Sequence, residues 1–302
     1  MRLLDNLNAK AKMQTPLVIS ASRATDIPAF YSAWFFNALR RGYVVWANPF
    51  NGKRLFVSLR AARTFVFWSK NPAPMLDRLG ELEDLGRANY YFQFTLNDYE
   101  REGLEPNLPP LADRIAIFER LSKRVGAARV IWRFDPIVNL PPDEILRRAE
   151  TIGDRVCGLT EKLVFSFVDS YAKVRRNLPR EFLEPDENAR FRIAENLARL
   201  GEKWRIKVAA CAEKDDFSRF GIARNACVDS ELIARIGGAE ALRLGKDRGQ
   251  RDLCGCAESK DIGAYNTCRH LCRYCYANSS ANAVSRNAAL HDENGESLIA
   301  AR

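Results

Sequence analysis

Apolar residues along this chain fall into short, nearly unbroken runs, separated by longer stretches in which they recur every three or four positions. The runs occupy residues 17–22, 43–48, 64–69, 90–96, 130–135, 163–168, 205–210 and a short 241–244. Successive strand residues point to opposite faces, so a run that is apolar at both parities predicts a strand covered on both sides. Between the runs, Ile115, Phe118, Leu121 and Val125 share one face of a helix predicted over 111–125. Pro142 and Asp143 open another, reaching about Ile152, and Asp186 begins a third with Phe191, Ala194, Leu197 and Leu200 at helical spacing.

Strands alternating with helices imply a parallel sheet. About eight such units predict an α/β fold of the (β/α) barrel type, TIM-like or partial, with a doubly wound open sheet as the other arrangement the pattern permits. The second unit is modified: Asn51-Gly52 between apolar runs reads as a hairpin turn joining 44–48 to 55–59. After Leu244 the periodicity stops. Residues 1–244 are therefore read as the barrel domain, and 245–302 as a cysteine-rich metal-binding segment packed at the barrel mouth. The latter ends in a short Ala-rich helix and a polar tail from 279 onward.

With 302 residues, 47% hydrophobic and 28% charged, the chain has a globular composition and enough length for a large core. No apolar stretch is long enough to span a membrane, and Met1 to Gln14 lack the apolar stretch of a secretory signal, which together predict a cytoplasmic protein with no membrane partner. The net charge of +9 is spread as +4, +3 and +2 over residues 1–110, 111–242 and 243–302. No segment concentrates it, so composition leaves nucleic-acid binding possible but unsupported.

Polar residues gather where the predicted strands end, the face at which parallel barrels bind ligands. Ser22, Arg23, Thr25 and Asp26 follow the first strand, and Ser69, Lys70 and Asn71 the third. Thr95 and Asn97 end the fourth, Arg133 and Asp135 the fifth, Asp169, Tyr171 and Lys173 follow the sixth, and Cys211 and Glu213 the seventh. Singly, an Asp before Pro136 or near Pro28 is an ordinary turn or cap residue. Together Arg23, Asp26, Lys70, Arg133 and Asp135 predict a mouth that takes a small polar or anionic substrate.

Five of the eight cysteines lie in the 22 residues from Cys254 to Cys275. In a reducing compartment such a cluster reads as metal binding rather than as a disulfide framework. Cys268, Cys272 and Cys275 also fall at i, i+4 and i+7, the spacing of one face of a helix in which buried cysteine would serve as a small hydrophobe. That reading does not explain why the position is cysteine three times. Thiolates at short spacings suit an iron–sulfur cluster. Zinc on Cys268, Cys272, Cys275 and His270 is the alternative, although His270 stands only two residues from each neighbouring cysteine. Cys211, Cys227, Cys254 and Cys256 are four further thiols for a second iron–sulfur cluster or a zinc, provided that their loops converge. Cys157 is isolated and read as structural.

Cys268-x₃-Cys272-x-Tyr274-Cys275 resembles the CxxxCxΦC signature, Φ being aromatic, of the radical S-adenosylmethionine enzymes. The resemblance implies a 4Fe–4S cluster on the three thiolates, with S-adenosylmethionine chelating the fourth iron and cleaved to a 5′-deoxyadenosyl radical. It also implies Tyr274 near the adenosyl moiety, a full or partial barrel, and an electron donor such as a flavodoxin or ferredoxin. The chain departs from those enzymes in two respects. Its cysteine motif follows the last predicted strand rather than the first, and no Gly-Gly-Glu element is evident, Gly237-Gly-Ala-Glu240 following a predicted helix.

Almost the whole chain also resembles the bacterial family designated domain of unknown function 1848. The matching stretches are Ile19-Ser-Ala-Ser-Arg-Ala-Thr-Asp-Ile-Pro28, Phe67-Trp-Ser-Lys-Asn-Pro72, Gln93-Phe-Thr-Leu96, Arg133-Phe-Asp-Pro-Ile137 and the block from Cys254 to Asn278. That family implies no established reaction. Three functions remain open to the sequence. One is a radical enzyme; another is a metal-stapled binding or sensor protein without turnover. The third is a nucleic-acid modifying radical enzyme, since Cys-x-Tyr-Cys-Tyr is similar to spore photoproduct lyase.

Overall fold

A computed structural model describes residues 13–86, 89–237 and 242–300. In chain order the elements are β1 (Val18–Ala21), α1 (Ile27–Phe30), α2 (Ser32–Arg41), β2 (Tyr43–Ala47), β3 (Arg54–Ser58), β4 (Thr64–Ser69), α3 (Ala73–Leu76), α4 (Leu79–Asp84), β5 (Tyr90–Thr95), α5 (Leu111–Val125), β6 (Val130–Ile137), α6 (Pro142–Val156), β7 (Lys162–Phe167), α7 (Ala172–Asn177), α8 (Glu187–Trp204), β8 (Lys207–Ala210), β9 (Ala223–Arg224), α9 (Ser230–Arg235), β10 (Lys260–Asp261) and α10 (Ala281–Ala288).

Eight strands form one parallel sheet in the order β10-β1-β4-β5-β6-β7-β8-β9. The order rises through the chain without the reversal that a doubly wound sheet requires, so the architecture is that of a barrel-like α/β fold. Among the described residues β9 and β10 do not pair with each other, which leaves two short edges. β2 and β3 stand outside this sheet as an antiparallel hairpin turned at Asn51-Gly52, with Gly52 at φ 68°.

One predicted feature needs correction. Of the short strand expected over 241–244, residue 241 lies outside the described residues, and the rest is not strand. Its place is taken by β9 and β10, each only two residues long, and β10 comes from the cysteine-rich segment. The polar tail is tied to the fold over its described length. Val45 N–H donates to Glu296 O at 2.9 Å, Trp34 Nε1 to Gly295 O at 3.0 Å, and Leu298 is buried.

Strand parity sorts the core into two layers. Val18, Val66, Tyr91, Ile131 and Val164, one from each of five strands, meet Cys211, Val228 and Leu232 inside the sheet. Their neighbours Ile19, Phe65, Phe92, Trp132 and Phe165 face the other way, into the larger cluster that holds Phe118, Leu121, Ile145, Ile152, Ile193 and Leu197 of the helices. Each of these side chains is fully buried, and burial of one such side chain contributes roughly 1.5–3 kcal/mol. The helices begin where the sequence marks them: Asp186 Oδ1 accepts Ala189 N–H at 2.8 Å, and Pro142 opens α6.

A cysteine-rich cavity at the strand ends

Following the inward parity along the strands leads from hydrocarbon to chemistry. Above Val66, Ile131 and Val164 the next inward residues are Trp68, Arg133 and Ser166, and then Lys70 and Asp135 follow. These five line a cavity of about 1060 Å³, at the upper end of ligand-pocket sizes. Arg23, Asp26, Tyr274 and seven of the eight cysteines line it too, so the five predicted mouth residues, Tyr274 and every cysteine proposed as a metal ligand border one space. Cys157 is exposed and away from it. Of the other strand-end residues, Thr95, Asp169, Tyr171 and Lys173 also line the cavity, whereas Asn71, Asn97 and Glu213 do not.

The polar groups are tied to one another rather than left free. Asp26 caps α1 by accepting Ala29 N–H at 2.9 Å, while its other oxygen accepts Lys70 N–H and meets His270 Nε2, both at 2.8 Å. It therefore joins two strand ends to the cysteine loop. Lys70 Nζ donates at 2.8 Å to Glu105 Oε1 and to Tyr274 Oη, and Tyr274 also hydrogen-bonds Glu105. Burial opposes ionisation of Glu105, yet the Lys70 and Arg114 cations hold its carboxyl below the usual carboxylate range. Burial pushes the Tyr274 phenol well up.

Arg133 forms a two-pronged ion pair with Asp135, whose other oxygen accepts from Ser166. Asn97 grips the Asp135 backbone at both ends, donating to its carbonyl at 3.0 Å and accepting its N–H at 2.9 Å. Burial works against the Asp135 charge, and Arg133 outweighs it, so the carboxyl lies below its ordinary value. Arg23 stands over the Trp68 ring at 5.0 Å, and its buried Nη2 has no hydrogen-bond partner.

The segment carrying Cys268, Cys272 and Cys275 is a chain of turns, not a helix. Leu271 adopts φ 56°, left-handed backbone that interrupts any helical register. The loop is pinned from all sides. Asn266 N–H donates to Ala277 O at 3.1 Å, Tyr31 Oη to Thr267 O at 2.6 Å, Arg273 N–H to Leu104 O at 2.9 Å, and Asn278 Nδ2 to Cys268 O at 2.7 Å. The helical-face reading of the three cysteines is thereby excluded.

Burial pushes the Cys272 thiol up to about 12, and the Cys268 and Cys275 thiols up as well. Cys275 Sγ accepts Ala277 N–H at 3.3 Å. His270, the alternative fourth ligand, has Nε2 engaged by Asp26 and its buried Nδ1 without a partner.

The other four cysteines also converge. Cys211 and Cys227 lie 3.4 Å apart between sulfurs, and Val228 N–H donates to Cys256 Sγ at 3.3 Å. The neighbouring Cys227 and Cys254 thiols, with Arg23 nearby, hold the Cys256 thiol well below its ordinary value. All eight cysteines are free thiols. Among the described residues no three His, Cys, Asp or Glu side chains stand around one point in the manner of a bound metal ion.

Sequence reasoning missed Glu105 and Asp261. Glu105 sits in a polar stretch where nothing distinguishes it from its neighbours. Asp261, on β10, accepts Ser20 Oγ at 3.1 Å and Arg23 N–H at 2.7 Å, and no apolar pattern marks a strand that short.

Comparison with curated proteins finds no match. Among solved structures, the crystal structure of a protein provisionally named an alpha-L-fucosidase, from Bacteroides thetaiotaomicron VPI-5482, is 11% identical. The alignment covers 70% of this chain and 82% of that one, with a TM-score of 0.29, a likeness too low to carry any argument. One family model, described as a domain of unknown function (DUF1848), matches residues 18–277. That span takes in every barrel strand, the polar mouth and both cysteine groups, and the chain belongs to this family.

Proposed function

We propose that this protein is an iron–sulfur enzyme of the radical S-adenosylmethionine type, with Cys268, Cys272 and Cys275 as the cluster ligands and a small polar or anionic molecule as substrate. The observation that carries the reading is that three thiols, Cys272 buried and Cys268 and Cys275 half-buried, line a cavity of about 1060 Å³ together with Arg and Lys, on a loop fixed by backbone hydrogen bonds. Together with S-adenosylmethionine such a cluster supplies one-electron chemistry when bound.

The chain's own residues have separable tasks. Asp26 and Asn266 fix the loop, and Lys70 with Glu105 orients the Tyr274 hydroxyl at the cavity wall. Arg23 offers a cation with an unsatisfied N–H to an anionic group. The free thiols suit a reducing cytoplasm, and among the described residues no helix is long and apolar enough to cross a membrane.

The test is anaerobic reconstitution with iron and sulfide, followed by assay for 5′-deoxyadenosine with a strong one-electron donor. Product formation and about four irons per chain are expected, both lost in Cys272→Ala. Reconstituted protein that stays colourless and free of iron sinks the proposal. Protein that holds iron without consuming S-adenosylmethionine points instead to the binding or sensor role.

A further inference from the structure

We propose that Cys211 and Cys227 are a redox-active dithiol in the cavity wall, which passes two electrons to a small disulfide entering the cavity and closes into a disulfide of its own. This goes beyond the iron–sulfur reading and does not rest on it.

Backbone ties set the two cysteines side by side. β8 and β9 run parallel with Ala209 opposite Ala223 and Ala210 opposite Arg224, and Asn225 N–H donates to Ala210 O at 2.8 Å. Cys211 is the first residue beyond β8, held by its own N–H on Phe165 O at 2.8 Å. The Cys227 carbonyl accepts Tyr91 Oη at 2.7 Å and Gln93 Nε2 at 2.9 Å, both from β5. The sulfurs consequently lie 3.4 Å apart. A sulfur–sulfur bond is about 2.05 Å long, so less than about 1.5 Å remains to be closed.

Both side chains are buried, at 7% and 2% exposure, yet both border the cavity. A molecule small enough to enter it reaches them, and a protein-sized partner does not. Apolar packing would leave such sulfurs among hydrocarbon. Instead Arg133 Nη1 and Asn225 Nδ2 donate to Cys227 Sγ at 2.8 and 3.0 Å. These donors answer the charge that a sulfur carries while it attacks or departs as thiolate.

The exchange balances. One cysteine, its proton given up, attacks a sulfur of the incoming disulfide R–S–S–R, and one R–S⁻ leaves and is protonated. The other cysteine attacks the protein sulfur of the mixed disulfide, the second R–S⁻ leaves likewise, and the Cys211–Cys227 bond is made. Two protein thiols are oxidised, one small disulfide is reduced to two thiols, and two protons pass from the cysteines to the leaving sulfurs. A reducing compartment then regenerates the dithiol, in keeping with the transient use of disulfides there.

The test uses the full chain, purified without oxygen and exposed to excess bis(2-hydroxyethyl) disulfide, then acid-quenched, alkylated and mapped by mass spectrometry without reduction. A single link from Cys211 to Cys227 is expected. It should remove two of the eight free thiols, apart from any adduct on exposed Cys157, and reduced dithiothreitol should restore both. Serine at either position should abolish the link, and at least one of Cys211→Ser and Cys227→Ser should keep the small thiol bound to its remaining cysteine. Wild-type Cys211 and Cys227 that stay open to alkylation under excess disulfide, or that link to other cysteines instead, overturn the proposal. The wild-type map decides even if neither variant folds. Labelling of Cys268, Cys272 and Cys275 in the same map reports on the cluster thiols separately, so either reading can fail without the other.

Discussion

At the scale of single residues, the sequence marks positions well and duties poorly. Asp26 drew attention as a charged residue just past a strand, where a substrate contact is a natural expectation. In the fold both of its carboxylate oxygens are engaged, by α1, the Lys70 backbone and His270. Removing it strips a helix cap and two further buried hydrogen bonds, so Asp26→Ala should lower unfolding free energy by about 2–4 kcal/mol. Urea titration measures the loss; a change within about 0.5 kcal/mol would show that the ties carry no weight. Arg133 was legible for the same reason as Asp26, as a charge at a strand end. Its contact with Cys227 was not, because 94 residues separate the two and no local pattern encodes that distance. Glu105 was illegible altogether. An acid in a stretch of acids acquires meaning only when Lys70 and Arg114 close around it.

At the scale of elements, periodicity read the long pieces almost to the residue. β4 occupies 64–69 and α5 occupies 111–125 as the pattern indicated, because amphipathic helices and doubly covered strands leave strong signals. The spacing of Cys268, Cys272 and Cys275 also fits a helix, but here tertiary ties override spacing and the backbone turns at Leu271. The two shortest strands were beyond reach, as two residues carry no period.

Element contacts also set the behaviour in acid. Arg148 of α6 is buried and pairs with Glu144 of its own helix and with Glu102 of the loop between β5 and α5. Hydrogen bonds from Arg147 and, next to them, from Arg148 lower Glu144 to about 2, and Arg148 also lowers Glu102. The unfolded carboxylates titrate near 4.3, so the unfolded chain takes up protons first as pH falls. The stabilisation is complete above about pH 5 and drains away as pH drops through the folded values. Arg148→Met should start less stable at neutral pH and lose stability less steeply between about pH 5 and 2, as thermal midpoints across that range would reveal. Parallel profiles for the two proteins would contradict the assignment.

At the scale of the whole molecule, the change of composition after Leu244 proved a poor guide to where the core stops. Residues beyond it supply β10, while Cys254, Cys256 and Ala257 complete the inner cluster and Ile262, Cys272, Tyr274 and Leu298 join the outer one. A chain cut after residue 244 should therefore lack a cooperative unfolding transition and bind a hydrophobic dye, rather than behave as a stable barrel. A sharp two-state melt of that fragment would show that the last segment is dispensable to the barrel.

The pairing of β1 with β10 also has a bearing on time. Ser20 and Asp261 meet across 241 positions, so the first strand of the sheet waits for nearly the last part of the chain to emerge. Contacts that distant in sequence form slowly, since a large loop must close before anything is gained. The stretch that supplies this late neighbour also carries five of the eight thiols. On the ribosome, then, the unpaired flank of β1 and the incomplete set of sulfurs persist together, and both are completed only when β10 and the loop behind it emerge.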